Sequence, residues 1–175
     1  MTAASTHVIP NALTIAGVDP SGGAGILADI KAMSALGAYG TAVVAALTAQ
    51  NTQGVTGISP VPPAFVQAQI DTLFQDVRID AVKIGMLGQQ PVTRVVAERM
   101  AHWKPAHLVL APVMIAKSGD ALLERTAIDE LRDALVPQAT MLTPNLPEAG
   151  VLLDSRPVET LKEMRRVAER LRRLL

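Results

Sequence analysis

The amino-acid sequence predicts one three-layer α/β/α domain with a mostly parallel sheet at its centre. Three observations carry that expectation. Short apolar runs alternate with longer segments of helical period along most of the chain, which is how strands joined by crossover helices read. Apolar residues make up 49% of the 175 and charged residues 18%, a globular composition at a length that suits one domain. No internal repeat or linker breaks the pattern.

The elements follow in order. Residues 1–10 read as a flexible tail ahead of a domain over residues 11–175. Residues 12–17 (ALTIAG) form a first buried strand that ends in a glycine-rich turn. A helix over 24–36 places Ile26, Leu27, Ile30, Met33 and Leu36 on one stripe, and Gly37 stops it. Residues 41–48 (TAVVAALT) are the next strand, and 55–61 a short, more exposed one. Pro62 and Pro63 open a helix over 64–77 with Phe65, Ile70, Leu73, Phe74 and Val77 inward. A strand over 81–84 leads to a helix over 92–103, a strand over 108–110 to a helix over 126–135, and 140–142 is the last clear strand. A short helix begins at about residue 146 and a longer one at about 157. The apolar stripe of that last helix (Leu161, Met164, Val167, Leu171, Leu174) needs a partner, and a crossover helix normally leads into another strand. The sequence is therefore expected to be a truncated, N-terminal portion of its domain.

Bulk chemistry excludes several functions. Sixteen basic residues balance sixteen acidic ones, so no basic excess marks a nucleic-acid binder. The one dense basic run, Arg165 to Arg173, alternates with Val167, Ala168 and Leu171 and reads as a solvated helix face. With no cysteine there is neither a disulfide framework nor a thiolate metal site. No apolar stretch is long enough to span a bilayer, and the first residues lack the pattern of a secretory signal. A soluble cytoplasmic protein is expected. His7, His102 and His107 have no metal-ligand spacing and receive no role.

In open parallel sheets, ligands bind beyond the carboxyl ends of the strands, and each candidate segment falls there. Gly17-Val18-Asp19-Pro20-Ser21-Gly22-Gly23-Ala24-Gly25 is either a close-approach loop with helix N–H groups free for a ligand, or a tight turn capped by Asp19 or Ser21. It is neither a P-loop nor a G-x-G-x-x-G fingerprint. Asp29 sits one turn into the following helix, either on its solvent face or held near the ligand. Gln50 follows the second strand, where a carboxamide suits the edge of a heteroaromatic ring. Lys83-Ile84-Gly85-Met86-Leu87-Gly88 places Met86 in the core or on a flat-ring pocket. Ala111-Pro112-Val113-Met114-Ile115-Ala116-Lys117-Ser118 offers Lys117 as a phosphate neutraliser or as part of a surface loop. Thr143-Pro144-Asn145-Leu146-Pro147-Glu148 has the spacing of a capping box. Asn145 and Glu148 also suit Mg²⁺ held through water, and both readings can hold together.

Taken together, Ala16–Gly25, Thr48-Ala49-Gln50-Asn51-Thr52, Lys83-Ile84-Gly85-Met86-Leu87 and Thr143-Pro144-Asn145-Leu146-Pro147-Glu148-Ala149 resemble the hydroxymethylpyrimidine/phosphomethylpyrimidine kinases of thiamine biosynthesis, within the ribokinase-like superfamily. The resemblance runs from about residue 11 to 153. It implies a ribokinase-like fold and two successive ATP-dependent transfers, first to the hydroxymethyl oxygen of the pyrimidine and then to the phosphate so formed. It implies that Asp29 and Gln50 contact the pyrimidine, with Ala24, Met86 and Val113 lining its pocket. Asn145 and Glu148 fall on the element that organises Mg²⁺ around the ATP phosphates, and Lys117 near the phosphate path. A homodimer is implied as well, for which the strand over 55–61 offers an edge.

Two departures stand out. Family members carry an acidic residue where this chain has Ala111. Their Lys-Gly-Gly stretch and Gly-Thr-Gly-Cys loop, which holds the activating residue, have no counterpart here, so no catalytic residue is assigned. The chain as written is expected to bind substrate weakly and not to turn over. The alternatives are a pyridoxal or pyridoxine kinase, a non-catalytic pyrimidine-binding module, and a scaffold without a metabolite.

Overall fold

The computed structural model describes residues 8–114, 123, 125–156, 158 and 160–175. Six strands form one sheet: β1 (Asn11–Val18), β2 (Tyr39–Gln50), β3 (Val55–Pro60), β4 (Ala81–Ile84), β5 (Leu108–Leu110) and β6 (Met141–Leu142). Their order is β3-β2-β1-β4-β5-β6. Every neighbouring pair is parallel except β2 with β3, which is antiparallel. The helices are α1 (Gly25–Ala35), α2 (Pro63–Asp76), α3 (Gln90–Trp103), α4 (Arg125–Glu130), α5 (Leu146–Leu152) and α6 (Leu161–Arg172). This is the mostly parallel, helix-flanked sheet that the alternation of apolar runs predicts.

The strand order fixes where a ligand can enter. From β1 the chain steps outward to β2 and then returns to β4 on the other side of β1. Successive crossovers diverge there and open a crevice beyond the carboxyl ends of β1 and β4.

Side-chain alternation divides the two faces. Leu13 and Ile15 of β1 join Val43, Ala45, Val82 and Ile84 in a core completed by Val66 and Ile70 of α2 and by Val92, Val96 and Met100 of α3. Thr14 and Lys83 point the other way and meet Asp29 of α1.

Several elements depart from expectation. Strand β2 spans 12 residues because its far end pairs with β3. On α1 the expected stripe is only partly covered, since Leu27 is 37% and Leu36 87% exposed; the helix packs on β1 and β2 alone. On α2, Phe65 is 61% exposed, while Ile70 is fully buried. The expected helix over 126–135 is α4 followed by a π-helical turn over Leu131–Leu135 and a 3₁₀ turn at Val136–Gln138. Pro137 withholds an N–H there and tightens the exit. Helix α6 starts at Leu161, where Thr160 and Glu163 form a capping box. Of its stripe, Leu171 joins the core, and Met164 and Val167 line an apolar groove of about 370 Å³ with Met141, Leu142 and Leu146. Leu161 stays 78% exposed.

Candidate functional site

The glycine-rich turn after β1 holds itself in place. Asp19 is 4% exposed. Its Oδ1 accepts from the Ser21 N–H at 2.9 Å and the Ser21 hydroxyl at 2.8 Å, and its Oδ2 from the Gly23 N–H at 3.1 Å. Burial pushes the Asp19 carboxyl up, but the Ser21 hydroxyl and the N–H groups of Ser21, Gly23 and Ala24 outweigh it and leave the group below its ordinary value. The capped-turn reading is therefore realised, and these N–H groups are already spent. Ala24 follows as the N-cap of α1, without a side-chain cap. Lys31, two turns on, donates to the Gly22 carbonyl.

Asp29 lies neither on the solvent face nor loose in a cavity. Its Oδ2 accepts from Thr14 Oγ1 at 2.6 Å and from Lys83 Nζ at 2.7 Å. Thr14 and Lys83 are register partners on β1 and β4, so the carboxylate is anchored beside the two strands that flank the crevice. Sequence reasoning placed Lys83 in a motif but missed it as the partner of Asp29. The available signal was Thr14, a lone polar residue in the apolar run ALTIAG.

The remaining segments line up along one edge. Gln50 closes β2, 3.2 Å from Thr48 Oγ1, which in turn donates to the Val18 carbonyl at 2.7 Å. The Gly17 N–H donates to the Met86 carbonyl at 3.0 Å, and a β-carbon on Gly17 would stand 2.8 Å from the Met86 methyl. Met86 thus lies across the end of β1. Ala111 donates to the Ile84 carbonyl at 2.9 Å and extends the pairing of β5 with β4, which sets Val113 just past the same edge. The Met114 N–H donates to Glu148 Oε1 at 3.4 Å.

Asn145 and Glu148 form the expected capping box of α5. The Glu148 N–H donates to Asn145 Oδ1 at 2.8 Å, and the Asn145 N–H to Glu148 Oε2 at 2.9 Å. Glu148 is 5% exposed, with both oxygens committed to backbone N–H groups. Among the described residues no group of three or more acidic or His side chains could hold a metal. The donor set fits Mg²⁺ only through its waters. Lys117 lies outside the described residues.

Backbone hydrogen bonds thus run from the end of β1 to the end of β4 and from there to the end of β5, and the Glu148 side chain continues the row to the start of α5. Asp29, Gln50, Ala24, Met86, Val113, Asn145 and Glu148 all sit along or beside that row. A mostly parallel sheet with its loops gathered at the β1/β4 crossover defines an open, doubly wound α/β protein with its site at the strand ends.

Comparison with known proteins narrows the class. The family model for phosphomethylpyrimidine kinase matches residues 19–175, and the chain belongs to that family. It is 55% identical over 154 residues to the hydroxymethylpyrimidine/phosphomethylpyrimidine kinase of Escherichia coli, covering 88% of this chain and 58% of that relative. Among solved structures it resembles a phosphomethylpyrimidine kinase from Clostridium difficile with a TM-score of 0.89 and 41% identity, over 94% of this chain and 71% of that one. A pyridoxal kinase from Bacillus subtilis, solved as an ADP complex, gives 0.85 at 30% identity over 95% and 62%. The chain therefore spans about 58% of the length of its E. coli relative. No described helix is long and apolar enough to cross a membrane.

Proposed function

We propose that this chain belongs to a kinase that phosphorylates 4-amino-5-hydroxymethyl-2-methylpyrimidine and then its monophosphate, as a step of thiamine biosynthesis. In the first transfer the hydroxymethyl oxygen bonds to the γ-phosphorus of ATP, the bond from that phosphorus to the bridging oxygen breaks, and ADP leaves as the hydroxyl proton is released. In the second, the new phosphate is the acceptor. The observation that supports this reading is that the four family motifs gather at one sheet edge: the Gly17 N–H donates to the Met86 carbonyl, the Thr48 hydroxyl to the Val18 carbonyl, and the Glu148 carboxylate ties α5 to Met114 beyond β5.

In this reading Gln50 and Asp29 bind the ring edge, and Ala24, Met86 and Val113 form its walls. Asn145 and Glu148 orient waters of Mg²⁺, and Lys117 neutralises a phosphate. When bound, Mg²⁺ supplies charge neutralisation on the transferring phosphoryl group. The chain's own contribution is to hold the ring and to fix the turn that would present those waters. Ala111 brings no carboxylate to the end of β5, and Glu148 is the acidic group that reaches the loop there. A cytoplasmic homodimer completes the reading, with the exposed edge strand β3 and its Val55 and Ile58 as the pairing surface.

The test is calorimetric titration of the chain with the aminopyrimidine and with pyridoxal, beside an ATP- and Mg²⁺-dependent phosphorylation assay. Preferential binding of the pyrimidine supports the reading. Preferential binding of pyridoxal replaces it with a pyridoxal kinase, and binding of neither ring overturns the assignment of this edge to a substrate. Pyrimidine binding without phosphoryl transfer leaves the ring-binding assignment and refutes turnover by this chain alone.

A further inference from the structure

We infer that Lys83 is a positioning residue: with Thr14 it clamps one oxygen of Asp29, so that the other is presented in a fixed orientation to an N–H donor on the substrate ring. The inference rests on the reading of Asp29 as a substrate contact. Both protein donors converge on Oδ2, Thr14 Oγ1 at 2.6 Å and Lys83 Nζ at 2.7 Å. Asp29 Oδ1 has no hydrogen-bond partner among the described residues. The Asp29 and Lys83 side chains are 19% and 27% exposed, sheltered enough to be ordered and open enough for a ligand to reach.

The rest of the device is visible in the strands. Thr14 is fully buried, and its hydroxyl has one hydrogen to give, which the Asp29 carboxylate takes. Lys83 and Gly85 are two apart on one chain and so point to the same side. A β-carbon on residue 85 would stand 3.0 Å from Lys83 Nζ and 3.0 Å from the Ala16 β-carbon. The spacing Lys83-x-Gly85 thus leaves the ammonium room to lie along the strand end and reach α1. A sheltered ion pair is a weak source of stability, because desolvation offsets most of the Coulomb gain. Orientation is what this one supplies. An ionised carboxylate only accepts hydrogen bonds, so the presented oxygen selects rings that carry an amino group over rings that do not.

Two measurements on the full 175-residue chain decide it, each comparing the wild type with Lys83→Met and Lys83→Arg. The first needs no ligand: three-bond NMR couplings report the χ1 rotamer of Asp29. The wild type and Lys83→Arg are expected to show one rotamer and Lys83→Met an average of several. The second is the affinity ratio between 4-amino-5-hydroxymethyl-2-methylpyrimidine and the same compound lacking its amino group, a ratio that global destabilisation leaves unchanged. Lys83→Met is expected to erode the preference for the amino compound by about tenfold, the worth of one charge-assisted hydrogen bond, with Lys83→Arg retaining it. A single Asp29 rotamer in Lys83→Met overturns the clamp, whatever the rings do. Averaged rotamers with an unchanged ratio also overturn it, as a positioning device for substrate. Asp29→Asn tests the underlying reading apart from the clamp: an unchanged ratio there removes Asp29 from the substrate site while the rotamer result still stands.

Discussion

Gly25 is packed so tightly against Gly17 that a β-carbon on Gly25 would overlap the Gly17 carbonyl oxygen. Gly25 also has a φ of +59°. The first helical residue of α1 is therefore pressed onto the end of β1, and the loop between them is closed by a bridge between Val18 and Gly25. Any side chain at residue 25 has to move the loop or the helix.

Gly25→Ala is accordingly expected to cost at least about 2 kcal/mol, of which roughly 1–2 comes from the left-handed backbone. Gly37→Ala is the control. Its φ is +81° but nothing lies within 4 Å of the added carbon, so it bears the left-handed backbone cost of roughly 1–2 kcal/mol alone. Urea denaturation of both variants gives the difference. Equal losses would mean that the contact with Gly17 is relieved by a small shift.

Asp71 should make the stability depend on acid in one direction. The Trp103 indole N–H donates to Asp71 Oδ1 at 2.8 Å, and Arg99 lies 3.4 Å from Oδ2. Burial pushes this carboxyl up, but the bonds from Trp103 and Gln67 and the Arg99 charge outweigh it, leaving it below the ordinary Asp value of 3.8. A carboxyl lowered by folding stabilises the protein above its unfolded value, and that contribution disappears as pH falls through the lower folded value. Urea midpoints should therefore fall below about pH 3.8. Asp71→Asn should be less stable at neutral pH and show a shallower acid decline. Asp19, lowered in the same direction, leaves some decline in the variant. Trp103 is the chain's one tryptophan and stacks on Phe74 at 5.2 Å, so its fluorescence follows this corner directly.

The order of strands and helices was legible because apolar periodicity is set by burial, and burial is what the sheet enforces. The four motif segments were legible for the same reason: each sits where a strand ends. What could not be read was which neighbour each polar side chain would choose. Asp29 found Lys83, 54 residues away in the chain, and no local spacing encodes that distance. Asn145 and Glu148 are the opposite case, since a capping box is local: their spacing suggested the cap bonds that were found, while leaving the Mg²⁺ reading open beside them. The inward face of α2 was misjudged at one end because Phe65 lies one residue off the stripe of Val66, Ile70, Leu73 and Phe74 that meets the core, and an apolar residue off that stripe need not be buried.

That misjudged turn gives a paired prediction. Phe65→Ser should change stability by less than about 0.5 kcal/mol, as an exposed substitution, because Phe65 is 61% exposed. Ile70→Ala, on a side chain with no exposure, should cost about 2–5 kcal/mol by the loss of buried methyl groups and the cavity left behind. Chemical denaturation of the two variants ranks them. A large loss at residue 65 would mean that this face is covered in solution, for instance by a second copy.

Glu148 joins two segments with one carboxylate. Oε2 accepts the Asn145 N–H at 2.9 Å and Oε1 the Met114 N–H at 3.4 Å, while the Glu148 side chain is almost fully buried. Gln at this position keeps the shape but offers one acceptor, so its amide NH₂ must face one of the two N–H donors. The expected cost is about 1–2 kcal/mol, the range for a lost cap and an unsatisfied buried donor. The longer Met114 bond is the weaker one, and amide exchange at Met114 should accelerate more than at Asn145. The Thr143 N–H, bonded to the Leu110 carbonyl at 3.0 Å, should keep its protection because the pairing of β6 with β5 does not involve Glu148. Uniform acceleration at all three amides would mean that the sheet edge opens as a unit, and that Glu148 is not the local tie between the loop after β5 and the start of α5.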